Sequence, residues 1–445
     1  MVIPRVVVGG THSGCGKTTV ATGLMAALVA RGLRVAGFKV GPDFIDPSYH
    51  SVACGRPGRN LDAFLSGADL IGPLFAHGAA GCDVAVVEGV MGLHDGRAEA
   101  GEEASTAQVA KRLVAPVLLV VDARAIARSA AAVVLGFREF DPDVDLAGVV
   151  LNGVGSERHE AMLRGALEPL GVPVVGALPR RSELGLGSRH LGLVPAAEDP
   201  SGTGRVVRDL GTFVGTALDL DLVVRIARSA PGAAWSPWSP HADGPPQRCC
   251  IAVAGGPAFS FVYRENLEML AARGADLAWF NPAGDEAIPP GAGVVYLGGG
   301  FPEVHAEALS ANEPMRAAVR AAVRSGGTMV AECGGLLYLC RSLDGAPMCG
   351  VVPADAAMTG RLRLGYRSAT AAGSWLHDAG TPVRAHEFHY GSVTPGAGST
   401  PAWVMGERAE GFVERGVHAS FLHGHWAATP EVADRLVRRA LGRVA

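Results

Sequence analysis

A glycine-rich segment, Gly10 to Thr19, lies between a short β-branched run and an Ala- and Leu-rich stretch. Backbone amides of such a turn at the start of a helix point at anionic oxygens. Lys17 is placed to neutralise the β- and γ-phosphates of a nucleotide, and the Thr18 hydroxyl to reach Mg²⁺. The alternative, a purely structural turn, is disfavoured by Gly-Lys-Thr-Thr in this context. The predicted nucleotide contacts are Gly10, Thr11, Ser13, Gly14, Cys15, Gly16, Lys17, Thr18 and Thr19.

Charged residues follow two further predicted strands. One strand carries Lys39 and leads into a loop with Asp43 and Asp46, and another ends at Glu88 before a loop with Asp95. Because ligands gather at the carboxyl ends of parallel strands, these side chains should face the phosphates, with Lys39 as a further nucleotide contact. A solvated loop position is the alternative for each aspartate. The predicted Mg²⁺ ligands are Thr18, Asp43 and Glu88, and the catalytic acids are Asp43, Asp46 and Asp95.

A third predicted strand ends at Asn152. Its carboxamide both donates and accepts hydrogen bonds, which suits the edge of adenine. Capping of the next turn is nearly as good an explanation.

The second half of the chain contains a candidate nucleophile. The string Ala331-Glu332-Cys333-Gly334-Gly335 predicts a strand, a sharp turn and a helix, which expose Cys333 and aim helix amides at a developing oxyanion. A thiol needs a base, and His423 and His425 are both candidates. A backbone amide near Gly300 is a candidate oxyanion donor. The alternative for Cys333 is a buried apolar side chain.

The two sites together indicate amide synthesis. A thiol nucleophile with a histidine base releases ammonia from glutamine, and an ATP site turns a carboxylate into an acyl phosphate that ammonia displaces.

Longer strings extend this interpretation. The Gly-Thr-x-Ser opening resembles the loop of dethiobiotin synthetase, and the order of Cys333 and His423 resembles class I glutamine amidotransferases. With Lys-Val-Gly-Pro-Asp-Phe-Ile-Asp-Pro, His-Glu-Phe-His-Tyr and Phe-Leu-His-Gly-His-Trp, nearly the whole chain is similar to the cobyrinic or hydrogenobyrinic acid a,c-diamide synthases. Two departures stand out: Thr11 fills the usual first glycine position of the loop, and His425 replaces the usual third triad carboxylate, which leaves that member unassigned.

The resemblance implies an ATP-, Mg²⁺- and glutamine-dependent ligase that amidates the a and c acetate carboxylates of a corrinoid in cobalamin biosynthesis. The family's important acids carry over to Asp43, Asp46, Glu88 and Asp95. Rival interpretations are cobyric acid synthase, a nickel-tetrapyrrole a,c-diamide synthase and, from another class, a P-loop partitioning or switch ATPase. Whether the corrin substrate carries cobalt cannot be deduced from these residues.

Other polar groups have weaker assignments. His386 and His389 are either metal ligands or, more in keeping with a strand that splays them apart, substrate contacts or sheet packing. Arg361 and Arg363, with Tyr366, suit substrate carboxylates, although a solvated strand face explains the arginines equally well.

Hydrophobic periodicity predicts an α/β protein with two domains. Residues 1–229 form an ATP-binding P-loop domain with a parallel sheet flanked by helices. A Pro- and Trp-rich stretch makes 230–248 the linker. Residues 249–445 form a class I amidotransferase-like α/β domain, with antiparallel strands added around 350–420.

Bulk properties limit the partners. The chain has 445 residues, with 39 basic against 43 acidic ones, so no overall field favours nucleic acid or an anionic membrane. Apolar runs are too short to cross a bilayer and the start lacks signal-peptide features, which predicts a cytoplasmic enzyme. The expected partners are glutamine and a corrinoid tetrapyrrole carboxylate, and a homodimer is left open.

Overall fold

The computed structural model describes residues 3–98, 100–180, 195–240 and 246–442, with the backbone of 188–189 and 192–193. The chain separates into two compact units, Met1–Ser239 and Pro240–Ala445. The predicted boundaries at 229 and 249 stay predictions, and residues 241–245 of the predicted linker lie outside the described residues.

The first unit is built on a seven-stranded parallel sheet. Its strands are β1 Arg5–Gly10, β2 Val35–Val40, β3 Arg59–Leu61, β4 Val84–Glu88, β5 Val117–Asp122, β6 Leu146–Val154 and β7 Val174–Pro179. They are ordered β3-β2-β4-β1-β5-β6-β7, and a separate antiparallel pair follows, β8 Ser188–Arg189 and β9 Gly192–Leu193. The central strands are rich in valine and buried along their length, as expected for a parallel sheet covered on both faces.

Helices alternate with these strands. They are α1 Lys17–Ala30, α2 Ile45–Cys54, α3 Ile71–Gly78, α4 Thr106–Leu113, α5 Ser129–Phe140, α6 Glu157–Leu167, α7 Pro200–Ala217 and α8 Leu220–Ser229, with short 3-10 helices at Ala68–Leu70 and Glu168–Leu170. Several begin at a side-chain cap: Ser105, Ser156, Asp199 and Asp219 each accept a backbone amide of the first turn.

Residues 230–239 have neither helix nor strand, yet they pack on the first unit. The buried Arg5 guanidinium donates to the carbonyl of Pro231 at 2.8 Å and lies 5.0 Å from the centre of the Trp235 ring. Trp235 also contacts Phe75 edge-on, with ring centres 5.7 Å apart. This part of the predicted linker is therefore anchored to the first unit.

The second unit contains two sheets. Its strands are β10 Cys249–Ala254, β11 Ala275–Phe280, β12 Ala292–Leu297, β13 Thr328–Glu332, β14 Ser342–Leu343, β15 Ala346–Pro347, β16 Asp355–Ala371, β17 Pro382–Thr394, β18 Trp403–Met405, β19 Arg408–Glu410, β20 Phe412–Glu414 and β21 Val417–Ser420. The first sheet has the order β11-β10-β12-β13-β21-β20, parallel except for β20. The second contains β14 to β19, and the long antiparallel pair β16–β17 dominates it.

Helices complete the second unit. Over its described residues they are α9 Arg264–Ala272, α10 Ala306–Ala311, α11 Glu313–Arg324, α12 Gly334–Leu339 and α13 Glu431–Ala440, with a 3-10 helix at Trp426–Ala428. The predicted fold class, two α/β parts with antiparallel strands added to the second, is confirmed. Within the described residues, no helix has both the length and the apolar character needed to cross a bilayer.

Candidate active sites

The glycine-rich loop connects β1 to α1 as predicted. Gly16, the residue before α1, has a φ of 101°, and an added Cβ there would lie 2.1 Å from Asn152 Nδ2. Only glycine fits this position without strain. Asn152 Nδ2 donates to the Cys15 carbonyl at 2.8 Å, so its carboxamide supports the loop from β6. A contact between Asn152 and adenine stays a prediction.

The other loop residues divide into a buried base and an exposed tip. Gly10 and Cys15 are buried, whereas Ser13 and Gly14 are exposed. Thr11 Oγ1 lies 3.0 Å from His12 Nδ1. Thr19 is half-buried in the first turn of α1.

Lys17 is folded back on the loop. It is buried, and its Nζ donates to the His12 carbonyl at 3.1 Å. Burial, followed by the charge of Lys39, lowers the pKa of Lys17, although Glu88 and Asp46 act in the opposite direction. A bound anion would meet the ammonium group in the concavity of the loop amides.

A buried acid cluster lies beside the loop at the ends of β2 and β4. Lys39 Nζ lies 2.6 Å from Asp46 Oδ2 and 2.8 Å from Glu88 Oε1. The Thr18 hydroxyl donates to Glu88 Oε1 at 2.6 Å and to Asp46 Oδ2 at 3.4 Å. His50 Nε2 lies 2.7 Å from the other Glu88 oxygen, and both side chains are fully buried. Four of the predicted residues, Thr18, Lys39, Asp46 and Glu88, therefore converge.

The cluster has a defined charge distribution. Burial alone would raise the pKa of Glu88, but Lys39 and His50 hold it well below its ordinary value. Burial and the charges of Asp43 and Glu88 raise the pKa of Asp46 well above its ordinary value. Burial opposes the charge on Lys39, but Asp46 and Glu88 outweigh it and raise the pKa of Lys39. Glu88 is thus the anion and Lys39 its counter-ion.

Asp43 and Asp95 organise the neighbouring loops. Asp43 Oδ1 accepts the amides of Ile45 and Asp46 at 2.8 and 2.9 Å, where α2 begins. Asp95 is exposed, and its Oδ2 accepts the Gly92 amide at 2.8 Å. In the structure, Asp43 and Asp95 each accept hydrogen bonds from backbone amides of their own loops. Their predicted catalytic roles, and the predicted metal role of Asp43, stay predictions.

A cavity of about 420 Å³ lies on the other side of the phosphate loop, at the ends of β5 and β7. Its lining residues are His12, Asp122, Arg124, Ala125, Ile126 and Arg180. The acid cluster and this cavity flank β1 from opposite directions along the sheet.

In the second unit, Cys333 occupies a strained turn. It follows the buried strand β13 and precedes α12, with φ 48° and ψ −99°. Such a backbone is unfavourable for a residue with a Cβ and is typical of a nucleophile held between strand and helix. The Cys333 amide donates to the Ser420 carbonyl of β21 at 2.7 Å, which anchors the turn to the next strand.

The glycine loop after β12 lies against both the turn and a histidine. A Cβ added to Gly334 would lie 3.0 Å from the Gly300 amide nitrogen, so this amide is beside the nucleophile turn. A Cβ added to Gly299 would lie 2.4 Å from Cε1 of His423. The loop that contains the predicted oxyanion donor, the Gly300 amide, therefore lies beside both the Cys333 turn and His423.

His425 contacts residues at the start of α9. Its Nε2 lies 3.5 Å from Glu265 Oε2, and its ring centre is 4.8 Å from that of Tyr263. Both partners lie where α9 begins, and His425 is buried.

Cys333 and His423 both favour their neutral forms. Burial, followed by the charge of Glu303, raises the pKa of the Cys333 thiol, and a hydrogen bond from the Gly334 amide opposes this. Burial, followed by the charge of His389, lowers the pKa of His423 to about 3. A neutral imidazole is the form that is able to accept a proton from a thiol.

Comparisons with known proteins agree with this arrangement. A model of the CobQ/CobB/MinD/ParA nucleotide binding domain matches residues 6–193, and one of the CobB/CobQ-like glutamine amidotransferase domain matches residues 250–431. Hydrogenobyrinate a,c-diamide synthase of Streptomyces coelicolor is 54% identical over 98% of this chain and 97% of its own. The Mycobacterium tuberculosis protein of the same name is 48% identical over 99% of this chain and 98% of its own. Cobyrinate a,c-diamide synthase of Dehalococcoides mccartyi (strain CBDB1) is 41% identical over 98% of both chains.

The chain belongs to the a,c-diamide synthase family. The resemblance stated from its motifs is confirmed.

In this member of the a,c-diamide synthase family, sequence reasoning missed several buried polar residues beside the two sites. His50 contacts Glu88. Asn266 and Glu332 form hydrogen bonds with Gly424, the residue after His423, and Tyr296 donates a hydrogen bond to Glu332. Glu332 had a local signal, since it precedes Cys333. The others come from distant elements and had none.

His386 and His389 have separate partners. His386 Nε2 lies 3.0 Å from the Tyr263 hydroxyl, and His389 Nδ1 lies 2.8 Å from the Gly391 carbonyl. In the described part of the chain, no group of three or more His, Cys, Asp or Glu side chains has the geometry of a metal site.

Proposed function

We propose that this chain is an ATP- and glutamine-dependent ligase that amidates the a and c acetate carboxylates of hydrogenobyrinic acid. One observation carries the proposal: a single chain holds both kinds of site. Its first unit has a phosphate loop beside a buried acid cluster. Its second unit has a strained turn at Cys333, and the loop that contains Gly299 and Gly300 contacts both this turn and His423.

The first unit activates the substrate. A substrate carboxylate oxygen attacks the γ-phosphorus of ATP, the bond to the β-phosphate oxygen breaks, and ADP leaves an acyl phosphate behind. Lys17 and the loop amides bind the phosphates. The cavity bordered by His12 and Arg180 suits the nucleoside, since it lies across β1 from the acid cluster.

Thr18, Asp46 and Glu88 fit a Mg²⁺ ion. Their oxygen atoms are hard donors, and they already surround one cationic group, the Lys39 ammonium. Bound there, the ion supplies charge neutralisation at the transferred phosphoryl group. Asp43 is the additional ligand predicted from the sequence.

The second unit supplies the nitrogen. His423 accepts the Cys333 proton as the thiolate attacks the glutamine carboxamide, and the Gly300 amide stabilises the oxyanion. The C–N bond breaks as His423 returns the proton to the leaving nitrogen, which departs as ammonia, and water then hydrolyses the thioester to glutamate. Ammonia then attacks the acyl phosphate and displaces inorganic phosphate, which completes the amide.

The name shared by the relatives supports the cobalt-free substrate. The relatives at 54, 50 and 48% identity are named for hydrogenobyrinate, and those named for cobyrinate are 40 or 41% identical. All eight cysteines are free thiols, which supports a reducing, cytoplasmic compartment. A homodimer stays a prediction, which analytical ultracentrifugation of the purified chain tests.

The test compares two nitrogen sources. Cys333→Ala should lose amidation with glutamine and keep amidation with ammonium salts, and Lys17→Ala should lose both. Products are counted by mass spectrometry on hydrogenobyrinic acid and, in parallel, on its cobalt form. If Cys333→Ala still used glutamine, or lost the ammonium reaction as well, the separation of the two chemistries would be wrong.

A further inference from the structure

We propose that Asn266, together with Glu332 and Tyr296, is a positioning residue of the glutaminase reaction, because it holds the peptide groups that follow the base His423. The inference rests on the proposed function, and it gives a role to buried side chains that the mechanism above does not use.

His423 lies outside any helix or strand, so its ring direction depends on how its backbone is held. The His423 amide donates to the His386 carbonyl at 3.0 Å, and the His386 amide donates to the His423 carbonyl at 3.2 Å. This pair ties the base to β17 on one side. The two rings also stack, with centres 4.8 Å apart and planes 10° from parallel.

The next peptide groups are held from α9. Asn266 Nδ2 donates to the Gly424 carbonyl at 2.9 Å, and Asn266 Oδ1 accepts the Trp426 amide at 2.9 Å. Asn266 is fully buried, so water cannot replace either bond. One carboxamide thus spans the short loop from Gly424 to Trp426, immediately after the base.

The same loop is linked to the nucleophile. The Gly424 amide donates to Glu332 Oε1 at 3.4 Å, and Glu332 directly precedes Cys333. The Tyr296 hydroxyl donates to Glu332 Oε2 at 2.7 Å, and the Tyr296 ring stacks on Trp426 with centres 5.4 Å apart. Glu332 and Tyr296 therefore connect the end of β13, directly before Cys333, to the loop that follows His423.

The same loop contains His425, at the position where the usual triad carboxylate is absent. Two residues after His423 the chain has His425, which faces Glu265 at the start of α9. Asn266 is the next residue of that helix. The beginning of α9 thus contacts the base loop through both Glu265 and Asn266.

The test uses the full chain with Asn266→Asp. This variant keeps an acceptor for the Trp426 amide but places an acceptor against the Gly424 carbonyl. We expect kcat for glutamate release from glutamine to fall by about 100-fold, the scale of a misplacement near 1 Å, with little change in KM. Amidation with ammonium salts should stay at the parent rate.

The matched control is Asn312→Asp. Asn312 also accepts one backbone amide and donates to two carbonyls, but it does so where α11 begins. This control should keep both activities. If Asn266→Asp does not fold, Glu332→Ala is the second variant. It removes the carboxylate that accepts the Gly424 amide, and it should lose glutamate release while keeping amidation with ammonium salts.

A parent-like kcat in Asn266→Asp would overturn the inference, and so would an equal loss of the ammonium and glutamine reactions. Failure of the proposed function is recognised separately, because the parent chain would then release no glutamate before any variant is compared.

Discussion

Replacement of Lys39 by methionine should destabilise the first unit strongly. Lys39 is buried and lies 2.6 Å from Asp46 and 2.8 Å from Glu88, both of which are also buried. Removal of one partner of a buried ion pair costs about 3–5 kcal/mol, because the remaining charge has no compensation. Glu88 keeps the hydrogen bonds to Thr18 and His50, so we expect the lower part of that range.

The assay is thermal and urea unfolding of the full chain, followed through the transition of the first unit. For a unit of this size, a loss of about 3 kcal/mol corresponds to a fall in Tm of about 6–12 °C. Arg34→Gln is the control, because Arg34 forms a similar pair with Asp83 at 2.8 Å on the exposed surface. Such surface pairs contribute little, so the control should stay close to the parent.

The loss of unfolding free energy in Lys39→Met should increase as the pH rises. In the parent, the depressed pKa of Glu88 stabilises the fold above the unfolded carboxyl pKa, and this stability disappears as pH falls through the folded value. Without Lys39 the buried carboxylates must take up protons on folding. The difference between variant and parent should therefore grow from pH 5 to pH 8. A Lys39→Met loss no larger than that of Arg34→Gln, or independent of pH, would refute this account of the cluster.

Two further predictions address the individual sites. Gly16→Ala should weaken ATP binding about tenfold or more by calorimetry, because φ 101° is strained for alanine and its Cβ would lie 2.1 Å from Asn152; Gly32→Ala, with φ 85° and open space, should not. Equal affinities of both variants would remove the steric explanation. His423→Ala should lower glutamate release by at least about 100-fold, whereas His425→Ala should keep most of it, since the nearest side chain to a Cβ built at Gly299 is His423. The reverse order would make His425 the base.

The parts of both sites that were predictable depend on local context. The phosphate loop was deducible from the sequence because a valine-rich strand, a glycine-rich loop with Lys17 and a helix follow one another directly along the chain. Cys333 was deducible for the same reason, because glycines directly after a cysteine at a strand end indicate a sharp turn. The carboxyl ends of β2 and β4 also brought Lys39, Asp46 and Glu88 together as the parallel sheet requires.

Contacts between distant elements were not predictable. Lys39 was expected to face phosphate, but Asp46 and Glu88 take up its ammonium group. The use of Asp43 at the start of α2 depends on backbone geometry that residue type alone does not give. Asn266 lies 158 positions before the Gly424 carbonyl that it binds, and no local pattern signals such a bond.

The most direct test of the central claim follows the nitrogen atom. The chain is incubated with hydrogenobyrinic acid, ATP, Mg²⁺ and glutamine that carries an isotope label in its amide group, in the presence of unlabelled ammonium at low concentration. The account predicts a pigment with two labelled amides from the parent chain under these conditions. Cys333→Ala should form amides only when the unlabelled ammonium concentration is raised, and those amides should be unlabelled. Labelled ammonia released from glutamine with no labelled pigment, or labelled pigment from Cys333→Ala, would contradict it.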